Sequence, residues 1–175
     1  MGPLLFVVYT NDIDEQIVSK ILKFADDTKM YHIVQSPKDI ETLQSDLHTL
    51  VAWSKDWQML FNTDKCKVLH FCFNNSHIDY SMDGVKLQLV KEENDLGVTV
   101  SANMKWERQC IEAVKKANKM LGLIIRKFQD KSKDTVMPLY KSLVRPHQEH
   151  CCQLWSPYLS KDINLIEGVQ RLKGH

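Results

Sequence analysis

Two adjacent aspartates, Asp26 and Asp27, are the residues of this sequence best suited to bind a metal ion. Two carboxylates side by side concentrate negative charge, which is unfavourable unless a cation lies beside them. Carboxylate oxygens are the ligands that Mg²⁺ and Mn²⁺ prefer, and such an ion can bridge the protein and substrate phosphates. Aspartate is also common in solvated turns, so the pair alone leaves open a turn that binds no ion.

A lysine- and arginine-rich segment could bind phosphate groups. Its basic residues are Lys115, Lys116, Lys119, Arg126 and Lys127, and most of them fall outside the apolar stripe of a helix pattern. Such side chains bind nucleic-acid phosphates without sequence preference, and salt weakens this binding. The alternative is a basic helix face that is simply solvated.

Residues 147–152 also carry metal-capable side chains, in the order His-Gln-Glu-His-Cys-Cys. The glutamate is misplaced for the His-Glu-x-x-His motif of metalloproteases. A structural zinc ion needs four converging ligands, and no second Cys/His pair has zinc-finger spacing. We therefore expect Cys151 and Cys152 to pack a turn and the start of a helix.

Two short strand patterns, at residues 21–25 and 29–33, flank the aspartate pair. The polar residues between them are typical of a turn. The pattern therefore predicts a β-hairpin with Asp26 and Asp27 at or beside its tip. Upstream, apolar residues between Leu4 and Ile13 predict a short helix.

A helix signal begins at Ser36, a good N-cap residue, and Pro37 occupies the first helical position. Apolar residues at three- and four-residue spacing then predict one buried face up to about Met59. Asp83-Gly84 predicts a hairpin turn further along. Apolar runs predict strands at residues 68–73, 78–82, 85–90 and 96–100.

After residue 103 the pattern changes to helices. A long amphipathic helix is predicted from Trp106 to Phe128, and a second helix over residues 134–144 is expected to stop at Pro146. Ser160 can cap a last short helix. We therefore predict the α+β class, with hairpins and helices first and a basic, all-helical region after them.

Charge follows the same division of the 175-residue chain, whose net charge is only +1. The first hundred residues contain nine basic and fifteen acidic residues, and the remainder contains fourteen basic and seven acidic residues. An acidic half followed by a basic half can mark a surface that binds a polyanion.

The longest apolar run, residues 4–9, is far shorter than the ~20 residues of a membrane span. The N-terminus lacks a signal-peptide pattern, and five cysteines, an odd number, argue against a disulfide framework. We expect a protein of the cytoplasm or nucleus that is not secreted and has no membrane partner.

The segment Phe24-Ala25-Asp26-Asp27 resembles the aspartate motif of reverse transcriptases, an aromatic-Ala-Asp-Asp sequence on a palm hairpin. Four further segments occur in the family's order. Residues 2–13 are similar to the preceding motif and its helix, and residues 57–67 are similar to the next palm motif. Residues 96–98 are similar to the primer-grip turn, and residues 139–157 are similar to the helical region after the palm. Together they resemble the polymerases of non-long-terminal-repeat retrotransposons, of the LINE or jockey-like type.

The resemblance implies RNA-directed DNA synthesis with Mg²⁺ or Mn²⁺ as cofactor. The implied partners are an RNA template, a DNA primer, their RNA–DNA hybrid and deoxynucleoside triphosphates. Asp26 and Asp27 would bind the metal, and Lys65 occupies the place of a lysine proposed to protonate pyrophosphate. Leu96 and Gly97 would shape the turn that holds the primer end, and the basic helix would be part of the thumb.

Reverse transcriptases also use an earlier palm aspartate and a fingers segment, which in the family precede the motif that contains Met1-Gly2 here. Two carboxylates alone do not fix two ions for in-line attack. We therefore expect a fragment, with partial palm in residues 1–103 and a thumb-like region in residues 104–175, that does not polymerise by itself. The alternatives are a non-catalytic nucleic-acid-binding remnant and a remnant that folds poorly because its sheet edges are exposed.

Overall fold

The computed structural model describes residues 2–72, 75 and 77–171. This part of the chain is mixed α+β, as predicted. It forms two compact units, one from the described residues within 1–70 and 74–90, the other from those within 71–73 and 91–175. None of its helices combines the length and the apolar character that crossing a bilayer requires. The palm–thumb division at residue 103 follows from the resemblance and stays a prediction.

The first unit consists of two helices and short strands. Its elements are α1 (Gly2–Tyr9), β1 (Lys20–Phe24), β2 (Asp27–Tyr31), α2 (Pro37–Asp56), a 3₁₀ turn (Thr63–Lys65), β3 (Lys67–Leu69), β4 (Ser81–Met82), β5 (Val85–Lys86) and β6 (Gln88–Val90). The pairs β1–β2 and β4–β5 are antiparallel hairpins, whereas β3 and β6 pair in parallel.

Helix α2 begins where the sequence predicts. The carboxylate of Asp39 accepts hydrogen bonds from the backbone N–H groups of Gln35 (2.9 Å) and Ser36 (2.7 Å), so it stabilises the positive end of the helix. One face of α2 supplies Leu47 and Leu50 to the core of the first unit. The other buried apolar residues of this core are Ile13, Tyr80, Met82 and Leu87.

The strand predictions for residues 68–90 were too long. Strand β3 ends at Leu69, and Cys72 has a φ of +74°, which an extended strand does not allow. Phe73, the end of the predicted strand, lies outside the described residues. The predicted turn at Asp83-Gly84 is confirmed, with φ values of +50° and +76°, but two residues on each side are enough to form its hairpin.

The second unit is a hairpin followed by helices. Its elements are β7 (Glu92–Asp95), β8 (Val98–Ser101), α3 (Glu107–Lys127), α4 (Lys133–Leu139), a π-helical turn (Tyr140–Val144), α5 (Arg145–Glu149) and α6 (Ser160–Arg171). The buried face of α3 contributes to two apolar clusters. These contain Cys110, Ala113, Val114, Ala117, Leu121 and Ile124 from α3, with Val98, Tyr140, Val144, Trp155 and Val169.

Two predictions for the second unit were wrong. The strand predicted at residues 96–100 starts only at Val98, because Leu96 and Gly97 form a turn. The helical structure does not stop at Pro146, because α5 contains this proline. A proline clashes with the carbonyl four residues earlier in a regular α-helix, and the π-helical turn immediately before α5 widens the helix at this position.

Candidate functional site

The aspartate pair lies at the tip of a tight hairpin, as predicted. In the β1–β2 pairing Phe24 stands opposite Asp27, so Ala25 and Asp26 form a two-residue turn. Asp27 is the first residue of β2, and both aspartates are exposed. The hairpin therefore presents to solvent the carboxylates of two residues that are adjacent in the sequence.

The register of the hairpin also fixes which side of the sheet Asp27 occupies. Ile21 and Met30 are directly paired and pack against the core of the first unit. Because side chains alternate along a strand, Leu22 and Phe24 point away from that core, and Asp27, paired with Phe24, shares their side. Leu22 is 56% exposed and Phe24 is 59% exposed, so Asp27 lies on the exposed face of the hairpin.

The turn carries backbone strain. Ala25 has a φ of +50°, a left-handed conformation that a residue with a Cβ adopts at a cost of about 1–2 kcal/mol. Such strain persists only when the surrounding structure requires it, and it is concentrated at functional sites. The strained residue directly precedes the aspartate pair.

Lys23 ties the hairpin to the chain that follows α1. Its Nζ lies 2.8 Å from Asp14 and donates to the carbonyls of Thr10 (3.3 Å) and Asn11 (3.1 Å). The bond from Lys23 holds the pKa of Asp14 below its usual value, so Asp14 stays ionised and the contact weakens only in acid.

The described residues contain no group of three or more His, Cys, Asp or Glu side chains placed to hold a metal ion. The oxygen ligands of Asp26 and Asp27 suit Mg²⁺ or Mn²⁺ in kind. Two carboxylates are nevertheless fewer than two ions need. The hairpin can therefore supply only part of a metal site.

Lys65 is not brought into contact with the aspartates. It is the exposed last residue of the 3₁₀ turn that Asn62 starts by accepting a hydrogen bond from the N–H of Asp64 (3.2 Å). Within the described residues no hydrogen bond or ion pair joins Lys65 to Asp26 or Asp27. Its proposed role in protonating pyrophosphate stays a prediction.

Leu96 and Gly97 form the turn between β7 and β8, with φ values of +48° and +85°. Positive φ at both central residues is the type I′ arrangement. The N–H of Gly97 donates to Asn94 Oδ1 (3.1 Å), and His150 Nε2 donates to the carbonyl of Leu96 (3.2 Å). The buried Trp155 fixes His150 in turn, because its Nε1 donates to the His150 carbonyl (2.8 Å).

We expect Gly97→Ala to destabilise the second unit by about 2–3 kcal/mol. The left-handed φ strains any residue with a Cβ, and that Cβ would lie 3.0 Å from His150 Nε2. The measurement is urea denaturation followed by circular dichroism.

Gly84→Ala is the control for strain alone, because Gly84 has a φ of +76° and a Cβ added there would meet no atom within 4 Å. In a His150→Ala background, the loss of stability caused by Gly97→Ala should fall to the loss that the left-handed φ causes alone. An unchanged cost in this background would contradict the contact with His150.

The five basic residues that the sequence singled out on α3 all lie on its exposed side. Lys115, Lys116, Lys119, Arg126 and Lys127 are exposed and occupy about a third of the helix circumference, opposite the buried face. From Lys115 to Lys127 the surface is about 18 Å long. Lys115 pairs with Glu112 (3.1 Å), whereas the described residues form no ion pair with the other four. We call these five residues the basic surface of α3.

Sequence reasoning missed two residues that position these features. Asp46, on α2, is buried and accepts hydrogen bonds from the N–H groups of Val18 (3.2 Å) and Ser19 (2.7 Å), directly before β1. His150 supports the Leu96-Gly97 turn from 54 residues beyond Leu96. The helical pattern gave no indication that Asp46 is buried. A contact between residues that are far apart in the sequence produces no local sequence pattern.

Comparisons with models of protein families, with curated proteins and with solved structures found no match for this chain. The aspartate hairpin belongs to the first unit, and the Leu96-Gly97 turn and the basic surface of α3 belong to the second.

Proposed function

We propose that this chain is a palm and thumb portion of a reverse transcriptase of a non-long-terminal-repeat retrotransposon. The observation that carries the proposal is the two-residue turn that places Asp26 at the tip of a hairpin and Asp27 at the start of its second strand. Phosphoryl transfer by two metal ions needs carboxylates held on an ordered element, and the position of Asp26 and Asp27 at a two-residue hairpin turn supports this role.

Mg²⁺ or Mn²⁺, when bound, supplies Lewis-acid chemistry at the primer hydroxyl and the leaving pyrophosphate. In the proposed enzyme Asp26 and Asp27 contribute ligands from the hairpin. Leu96 and Gly97 position the primer end, and Lys65 gives a proton to pyrophosphate. The basic surface of α3 holds the backbone of the RNA–DNA hybrid.

The exposed apolar surface of the first unit supports a role within a larger polymerase. Helix α1 is apolar along its length, yet Leu4, Leu5, Val7 and Val8 are 61–71% exposed. A helix that is apolar on all sides is normally buried. Together with the incomplete ligand set of Asp26 and Asp27, this exposure favours a chain that acts with further polypeptide.

The proposal predicts that the chain alone does not extend a DNA primer on an RNA template with Mg²⁺ or Mn²⁺. A fusion to the fingers and upstream palm of an active LINE-type polymerase is expected to extend the primer. Asp26→Asn should then reduce extension to background, because a carboxylate ligand is lost while the side-chain shape is kept.

The matched control is Asp56→Asn, which makes the same chemical change at an exposed site at the end of α2. Its extension should equal that of the unmodified fusion. Extension by the fusion that survives Asp26→Asn would contradict the proposal, and any extension by the chain alone would contradict the prediction that it is inactive by itself.

A second candidate function is nucleic-acid binding without catalysis. The observation that favours it is the basic surface of α3, four of whose five cations form no ion pair among the described residues. Exposed cations outside ion pairs can neutralise phosphates. Salt-sensitive binding of an RNA–DNA hybrid by the chain, with no extension by the fusion, would favour this function.

A further inference from the structure

An exposed leucine lies within the basic surface of α3. Leu123 is 46% exposed, although exposure of one leucine by itself indicates no function. Residues three and four positions away are its neighbours on the helix surface, and three of these four are the cations Lys119, Arg126 and Lys127. The fourth, Met120, packs against the core of the second unit. Cations therefore adjoin Leu123 on the exposed side of the helix.

The cations of this surface form two rows, and Leu123 lies between them. One row consists of Lys115, Lys119 and Arg126, and the other consists of Lys116 and Lys127. At 3.6 residues per turn, a gap of about 60° of the helix circumference separates the two rows, and Leu123 falls within this gap. The exposed side of α3 thus has an apolar centre with positive charge on both flanks.

A glycine leaves room for one of these cations beside the leucine. A Cβ added at Gly122 would lie 3.3 Å from Arg126 Nη1, so the guanidinium group of Arg126 lies against the helix at this glycine. Gly122 directly precedes Leu123 in the sequence. The positive charge of Arg126 is therefore held at the border of the apolar centre.

The composition of α3 favours a double-stranded partner over a single-stranded one. Proteins that bind single strands without sequence preference stack the bases on aromatic side chains, and α3 (Glu107–Lys127) contains no aromatic residue. Two rows of cations instead match the two phosphate backbones that border a groove. A helix with its side chains is about 10–12 Å across, so it fits a wide groove and not the ~6 Å minor groove of B-form DNA.

We infer that the basic surface of α3 lies along a groove of a double-stranded nucleic acid and that Leu123 contacts the groove between the two backbones. The two rows of cations bind the phosphates, and the leucine packs against sugars and base edges. A leucine is shorter than a lysine, so this fit requires a shallow groove, such as the wide groove of an A-form RNA–DNA hybrid. The inference deepens the proposed function and rests on its nucleic-acid contact.

Leu123→Ala is expected to weaken binding of an RNA–DNA hybrid about three- to tenfold, because about half of a leucine side chain is no longer buried on binding. Alanine is a strong helix former, so the helix is kept. The slope of log affinity against log salt concentration should not change, because no cation is lost. Affinity for a single-stranded RNA of the same sequence should change less than twofold. Fluorescence anisotropy across a salt series measures all three quantities.

Ile125→Ala is the matched control for this variant. Ile125 is 49% exposed but lies about 160° around α3 from Leu123, outside the basic surface. Its truncation should leave the affinity for the hybrid unchanged. Leu123→Met keeps an apolar side chain of similar volume, so it should retain the affinity that Leu123→Ala loses.

Unchanged affinity for the hybrid in Leu123→Ala, an equal loss for the single strand, or an equal loss in Ile125→Ala would overturn the groove contact. If replacement of Lys115, Lys116 and Lys119 by glutamate abolishes binding and Leu123→Ala does not weaken it, this inference fails while the proposed nucleic-acid contact stands. No binding of the hybrid by the unmodified chain would overturn both.

Discussion

Replacement of Lys115, Lys116 and Lys119 by glutamate is expected to weaken binding of an RNA–DNA hybrid by roughly 100-fold at moderate salt. All three lie on the basic surface of α3, and Lys116 and Lys119 form no ion pair among the described residues. A lysine that neutralises a phosphate releases a condensed counterion, and a glutamate in its place repels the backbone. Fluorescence anisotropy measured across a salt series should also show that the slope of log affinity against log salt concentration is smaller in magnitude by about three.

A second triple variant separates this surface from the effect of net charge. Lys38, Lys55 and Lys86 are exposed in the first unit, and their replacement by glutamate changes the net charge by the same amount. Lys55 and Lys86 pair with Asp83 and Asp79, but surface ion pairs of this kind contribute little to stability. We expect this variant to lose much less affinity. Equal losses, or unchanged affinity in the α3 variant, would exclude the basic surface of α3 as the contact.

Features with a strong local signal could be predicted from the sequence. The polar residues between two apolar runs placed Asp26 and Asp27 at a hairpin tip, and Ser36-Pro37 located the start of α2. Apolar residues at helical spacing likewise predicted the buried face of α3. In each case the residues that decide the structure are neighbours in sequence.

Features that depend on distant residues could not be predicted. Strand β7 is Glu-Glu-Asn-Asp, which has low strand propensity, and it is extended because it pairs with β8. The contact of His150 with the carbonyl of Leu96, and the contacts of Asp46 with the N–H groups of Val18 and Ser19, join residues far apart in the sequence. Such contacts form only when the chain has folded, so local sequence patterns do not predict them.

Ile124→Ala should destabilise the second unit by about 2–5 kcal/mol, the largest loss of stability that we expect. Ile124 is 0% exposed and belongs to the apolar cluster that α3 forms with Tyr140, Val144 and Val169. Truncation removes buried methyl groups and leaves a cavity that a close-packed core fills poorly. Urea denaturation followed by circular dichroism gives the change in the free energy of unfolding.

The next residue provides the matched control, because Ile125 is 49% exposed and the same truncation there leaves no cavity. Ile125→Ala should cost less than about 1 kcal/mol. A similar loss in both variants would contradict the orientation of α3, which also places the basic surface opposite the core. The pair of variants therefore tests the helix face on which the binding prediction depends, without any nucleic acid present.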